Sequence, residues 1–169
     1  PDRYSVNLYQ SGLGLPDRDY YLRKDKDVVA TREAYKKYLA GMLTLAGESD
    51  VKAKAEAIFR LEDALAQGSW AAADRRDADK VYNPMTIAEL KKLAPQFPWD
   101  VYFASAGISE TTPHGGRTVI VAEKSAFPKL AAEFAKAPVS VWRDYLTVRY
   151  LHTFAAYLPR AFDDADFAF

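Results

Sequence analysis

The chain has no cysteine, which excludes a disulfide framework, a thiolate nucleophile and any sulfur-ligated metal site. Its histidines number two, His114 and His152, so chemistry that needs paired imidazoles has little to draw on. Neither sign of charge is in excess. The 23 Lys and Arg balance the 23 Asp and Glu, so no global field draws the chain to nucleic acid or to an anionic membrane. No basic cluster with interleaved aromatics supplies such a field locally. No run approaches the ~20 apolar residues of a membrane span. The first residues are neither an initiator Met nor the apolar core of a signal peptide, so the chain is expected to begin partway through a longer protein. Internal repeats, low-complexity tracts and flexible linkers are also missing, which favours one mostly helical unit.

What is present is a chain of 169 residues, long enough to bury a sizeable core. Its pivot is the stretch Gly12 to Tyr21. Two glycines offer positive-φ freedom there, Pro16 pushes Leu15 toward an extended conformation, and Asp17 and Asp19 can accept from backbone amides as a helix begins. Before it, Tyr4 to Gln10 alternates apolar with polar, the period of a half-buried strand. Its partner is expected to be Thr118 to Ala122, the other convincing β run. The fold class is therefore mainly α, a multi-helix domain with a minor two-stranded β pairing.

Asp25 or Asp27 can cap a helix reaching Ala46, with Val28, Tyr35, Leu39, Met42 and Leu45 or Ala46 on one stripe and Gly47 as its stop. Ser49 and Asp50 cap the next, in which Val51, Ala55, Ile58, Leu61 and Leu65 form the apolar face before Gly68; the pair reads as an antiparallel hairpin. A further helix is expected from Ser69 to about Val81, with Asp74 to Lys80 as a mixed-charge face. Asn83-Pro84 breaks the chain, and Thr86 with Glu89 resembles a capping box opening Ile87 to Ala94. Trp99 to Ala106 can form a short helix stopping at Gly107, and Ile108 to Arg117 has the composition of an exposed loop. Beyond the second strand, Phe127, Leu130, Ala131, Phe134 and Ala135 share a helical face. Pro138 opens a long helix with Val141, Tyr145, Val148, Leu151 and Ala155 on its stripe. The tail Arg160 to Phe169, aromatic and acidic, is expected to be a helix interrupted by the chain end.

Candidate chemistry is sparse. His152 borders an apolar stripe, where a half-buried histidine bonded to a neighbour is the usual outcome, and His114 is expected to be solvated. Neither has a second His or a carboxylate at ligand spacing. Asp163-Asp164-Ala165-Asp166 lacks the glycine turn and distal Glu of a calcium loop, so capping or solvation is expected. Gly115-Gly116 is followed by a strand rather than by a helix amino terminus, which argues for a loop turn over an anion cradle.

The run Leu13-Gly14-Leu15-Pro16-Asp17-Arg18-Asp19-Tyr20-Tyr21 resembles the Leu-Gly-Leu-Pro-x-Arg-Asp-Tyr-Tyr segment of the neprilysin and endothelin-converting-enzyme family of zinc metallopeptidases. The likeness continues, in family order, at Arg75-Arg76-Asp77, at Tyr82-Asn83-Pro84-Met85-Thr86, at Pro98-Trp99, and from Trp142 to Pro159 followed by Arg160-Ala161-Phe162. The resemblance implies that residues 1–169 are a single partial domain, an internal piece of the amino-terminal helical domain. In that family this domain faces the catalytic domain across a chamber that admits short peptides, and the parent hydrolyses peptide bonds with a zinc-bound water.

The His-Glu-x-x-His helix which that chemistry requires is not in this sequence, so catalytic residues and metal ligands are expected to be none, and substrate contacts are left unassigned. Cofactor and partners follow the same reading. Zinc belongs to the parent enzyme and not to this segment, and the partners are the catalytic domain of the same chain and the peptide substrates. No nucleic acid and no membrane span are expected. A cysteine-free version resembles the bacterial branch of the family, many of whose members are exported. The alternative is a helical scaffold or protein-interaction module of the same fold with no peptidase attached; the flanking sequence separates the two. A piece of a larger enzyme should also expose an apolar patch or self-associate.

Overall fold

A computed structural model describes residues 5–169. Tyr4, first residue of the expected strand, lies outside them. In chain order the elements are β1 (Val6–Leu8), α1 (Asp19–Leu22), α2 (Lys26–Leu45), α3 (Val51–Gly68), β2 (Pro84–Thr86), α4 (Ile87–Leu93) and α5 (Trp99–Ser105). They continue with β3 (Thr111–Thr112), β4 (Gly115–Gly116), β5 (Thr118–Val121), α6 (Phe127–Lys136), α7 (Val139–Phe154) and α8 (Arg160–Phe167). The fold is mainly α, and the described residues group into two compact units.

The first unit joins the described residues up to Gly12 with Gly68–Lys136. β1 pairs with β5 as expected, and the pairing is parallel, with Val6 opposite Val119 and Leu8 opposite Val121. A third strand was not legible. β2 adds antiparallel on the far side of β5, giving the order β1-β5-β2. Pro84 reads as a breaker, yet as first residue of an edge strand it removes no central ladder bond. Against this sheet pack Ile87 and Leu90 of α4, Trp99 and Phe103 of α5, and Phe127 and Ala131 of α6. Leu130 and Phe134 on α6 are half-buried and Ala135 is exposed. The capping box is formed, with the Thr86 hydroxyl accepting from Glu89 N and the Glu89 carboxylate accepting from Thr86 N.

Two expectations in this unit are corrected. The helix expected from Ser69 to Val81 is absent, replaced by turns and a short 3-10 segment at Asp74–Arg76. The Asp77 carboxylate accepts from the amides of Asp79 and Lys80, a local bond that competes with helix propagation. The segment from Ile108 to Arg117 is not a plain loop, because β3 and β4 close a small exposed hairpin with Thr112 opposite Gly115.

The second unit joins Leu13–Gln67 with Ala137–Phe169. α2 and α3 run antiparallel: Tyr35 meets Glu62, and Lys36 reaches Glu56 and the Phe59 ring. α2 buries Tyr35, Tyr38, Leu39, Met42 and Leu43. Leu45 and Ala46, the two alternatives for the end of that stripe, are both exposed. At roughly 100° per residue Leu43 stays near the azimuth of Leu39, whereas Leu45 is displaced by about 120°. Asp25 takes the N-cap position of α2, but its carboxylate is held by Arg23 instead of capping. At the other end Gly47 and Glu48 donate back to Thr44 and Leu43. α7 buries Tyr145 and Val148 as expected, and also Asp144. The tail forms α8, which buries none of its own side chains.

Candidate functional site

The Gly12–Tyr21 turn is held by a carboxylate that sequence reasoning missed. Glu62 on α3 is 0% exposed. Its Oε2 accepts from the Tyr21 hydroxyl at 2.7 Å and its Oε1 from the Tyr35 hydroxyl at 2.9 Å. The Tyr21 oxygen in turn accepts from the amides of Gly14 and Leu15, at 3.1 and 3.0 Å. A phenol on α1 thus bridges the turn to α3, and every polar atom of the bridge is satisfied. Arg149 on α7 adds a longer bond from Nη1 to the Leu13 carbonyl at 3.3 Å. Arg32 on α2 donates to the carbonyls of Tyr21 and Arg23 that end α1.

The two glycines of the turn have different reasons. Gly12 uses the positive φ expected of it, 108°. Gly14 is there for space: a Cβ on it would lie 1.8 Å from the Tyr35 hydroxyl oxygen.

The electrostatics of this cluster follow from its burial. Burial, with the neighbouring Glu62 charge, pushes the Tyr21 and Tyr35 phenols well above their ordinary range. Burial also raises the Glu62 carboxyl, against the lowering effect of the two tyrosine hydroxyls that donate to it. Tyr145, nearby on α7, is pushed up to about 12 by burial. The cavity lined by Gly14, Tyr35, Tyr38, Arg149, His152 and Phe169 is about 20 Å³, room for a single water and not for a substrate.

The remaining motif residues are dispersed. Leu13 to Tyr21 lie in the second unit, with Leu15 and Tyr21 buried, Pro16 and Asp19 exposed, and Leu13, Arg18 and Tyr20 half-buried. Tyr82 to Thr86 lie in the first. Tyr82 is exposed; Asn83 donates to the carbonyls of Lys80 and Ala122; Met85 enters the sheet core and Thr86 caps α4. Arg75 of the Arg-Arg-Asp match pairs its Nε with Glu123 at 2.9 Å, and this second buried carboxylate also accepts from Gln10 N at 2.8 Å. A sequence signal for Glu62 existed: it falls four residues after Ile58 and three before Leu65, on the apolar stripe itself.

The histidines stand apart. His114 sits exposed in the β3–β4 turn. His152 Nδ1 lies 2.6 Å from Asp166 Oδ1 and 3.1 Å from the Tyr38 hydroxyl, which itself donates to Asp166 at 2.5 Å. Asp166 is thus a tertiary anchor, beyond the capping or solvation expected of it. Among the described residues no three His, Asp or Glu side chains converge as a metal set. No described helix is long and apolar enough to cross a membrane.

Comparison with known proteins gives this geometry its context. The model of Peptidase family M13, in its amino-terminal form (Peptidase_M13_N), matches residues 1–169. Endothelin-converting enzyme 1 of Cavia porcellus is 29% identical over 172 residues, covering 98% of this chain and 22% of its own length. The crystal structure of Mycobacterium tuberculosis zinc metalloprotease Zmp1 in complex with inhibitor superposes at a TM-score of 0.87 with 34% identity, covering 99% of this chain and 25% of that one. PepO from Lactobacillus rhamnosis HN001 shares the fold at a TM-score of 0.75 and 24% identity, covering 93% of this chain and 24% of its own.

Proposed function

The chain belongs to peptidase family M13 over all of residues 1–169, and from that membership we propose that it is a non-catalytic segment of the amino-terminal helical domain of a zinc metalloendopeptidase. Residues 1–169 form one partial domain of a longer polypeptide, consistent with its covering 22–25% of the matched relatives named above. The observation that carries the reading is a family match along the whole length, joined to a sequence with no His-Glu-x-x-His. The parent hydrolyses peptide bonds of short peptides; zinc and the general base are supplied by its catalytic domain, the principal partner of this segment. The segment walls the peptide chamber, holds no metal and is inactive alone.

Its motif residues serve architecture. Gly14, Leu15 and Tyr21 set the turn against Glu62, while Asn83, Met85 and Thr86 tie β2 to the sheet and start α4. The parent is a bacterial-type, exported enzyme.

The test is expression of the complete reading frame beside the 169-residue chain. The former is expected to cleave a short fluorogenic peptide, to lose that activity to a chelator and to regain it with zinc. The latter is expected neither to cleave nor to retain stoichiometric zinc. Tight zinc in the 169-residue chain, or a complete frame without His-Glu-x-x-His, would overturn the reading.

A further inference from the structure

We propose that the outer face of α7 is the seat of an amphipathic helix contributed by the part of this same polypeptide that follows Phe169. The proposal rests on the reading of the chain as a segment of a longer enzyme. α7 carries two apolar stripes. The inner one, with Tyr145 and Val148, is buried within its unit. The outer one, Val139, Leu146 and Tyr150, is 84%, 59% and 60% exposed, and Phe154 extends it by one more turn. A helix apolar on both faces belongs to an interior, because a surface helix keeps one face polar. Between the outer side chains runs an open groove of about 540 Å³, lined by Val139, Trp142, Arg143, Leu146, Thr147 and Tyr150. Its spacing of three and four residues along the axis is the ridge pattern that receives another helix. Arg143, whose side chain is 71% exposed and lies 3.7 Å from the Asp144 carboxylate, is the charged group in the lining.

The occupant is the chain's own continuation for a reason of length. The match is to the amino-terminal form of the family, and the chain covers 22% of one relative and 25% of another. Most of such a polypeptide is therefore available to fold back. Tethering also gives it an effective concentration on the order of millimolar, which a second copy does not reach.

Absence of native cysteine in these residues makes the test direct. Leu146→Cys and, separately, Tyr150→Cys are introduced into the 169-residue chain and into the complete polypeptide with any cysteines elsewhere replaced by serine. Maleimide labelling is then timed at low micromolar protein, with the rate in urea as reference. The thiol is expected to react freely in the 169-residue chain. In the complete polypeptide it is expected to react about tenfold slower or more, as for a side chain reached through local opening. This protection should not depend on concentration. Equal native rates in the two, or protection that appears only as concentration rises and so reports a second copy, would overturn the proposal. Peptidase activity of the complete polypeptide is read in parallel: free labelling in an active enzyme sinks this inference and spares the functional reading, while protection in an inactive one does the reverse.

Discussion

At Gly14 the chain has no room for a single added carbon. A methyl there would stand 1.8 Å from the Tyr35 oxygen and 2.5 Å from its Cζ, and Tyr35 is pinned by its bond to buried Glu62. Gly14→Ala is therefore expected to cost about 2–3 kcal/mol by overpacking, measured as a lower urea midpoint. Glu62 offers a second test. Its carboxyl is raised in the folded chain, principally by burial, so the folded state holds the proton more tightly than the unfolded state does. The stabilisation from that difference is fully present below the ordinary glutamate value and is lost as pH rises through the raised one. In Glu62→Gln the titration is gone; the amide carbonyl can accept from one tyrosine hydroxyl, and the NH₂ must face the other, which also donates to this position. The variant should be less stable by about 1–2 kcal/mol at neutral pH, from one lost hydrogen bond. The gap to the parent chain should widen as pH falls toward 4.5, the ordinary value. A gap independent of pH in urea titrations between pH 7 and 4.5 would show that Glu62 does not titrate as assigned.

Among the elements, the loop between α3 and β2 is the one whose structure depends least on its own propensity. Its Asp74-to-Lys80 run reads as helix by composition, but Asp77 caps its own chain and Arg75 is drawn to Glu123, which is 1% exposed. Arg75→Ala should leave that carboxylate with the Gln10 amide and cost about 2 kcal/mol, while Asp79→Ala on the same loop should cost little; urea melts of the two variants decide it. The contrast explains what was legible. The alternation of β1, the β run of β5, the Thr86–Glu89 box and the stops at Gly47 and Gly107 are local patterns read from the residues in place, and the long-range β1–β5 pairing followed because these were the two convincing β runs. β2 could not, because three residues beginning with proline form a strand only when β5 offers an edge. Nor could the Tyr21–Glu62–Tyr35 bridge be read: its partners lie 41 and 27 residues apart, and nothing local says which buried hydroxyl will meet the carboxylate. The turn was legible in its glycines, Pro16 and aspartates, whereas the buried carboxylate that holds it was found only through the structure.

For the chain as a whole, net charge and exposed apolar surface act in the same direction. Formal charge is zero at pH 7 with a sequence pI near 7.3, so long-range repulsion between copies is nearly absent. The outer face of α7 meanwhile presents Val139, Leu146 and Tyr150 to water. If that face is built to be covered by the rest of the polypeptide, the 169-residue chain alone should associate through it at neutral pH and tens of micromolar concentration, visible as a rising weight-average sedimentation coefficient. Charge and patch can be separated. Leu146→Lys with Tyr150→Lys adds two positive charges and breaks the patch, whereas Ala30→Lys with Ala34→Lys adds the same charge on the exposed side of α2 and leaves the patch whole. The first pair is expected to restore a monomer across the concentration range, and the second to leave association largely in place. Equal dispersal by both pairs would assign the association to missing net charge alone.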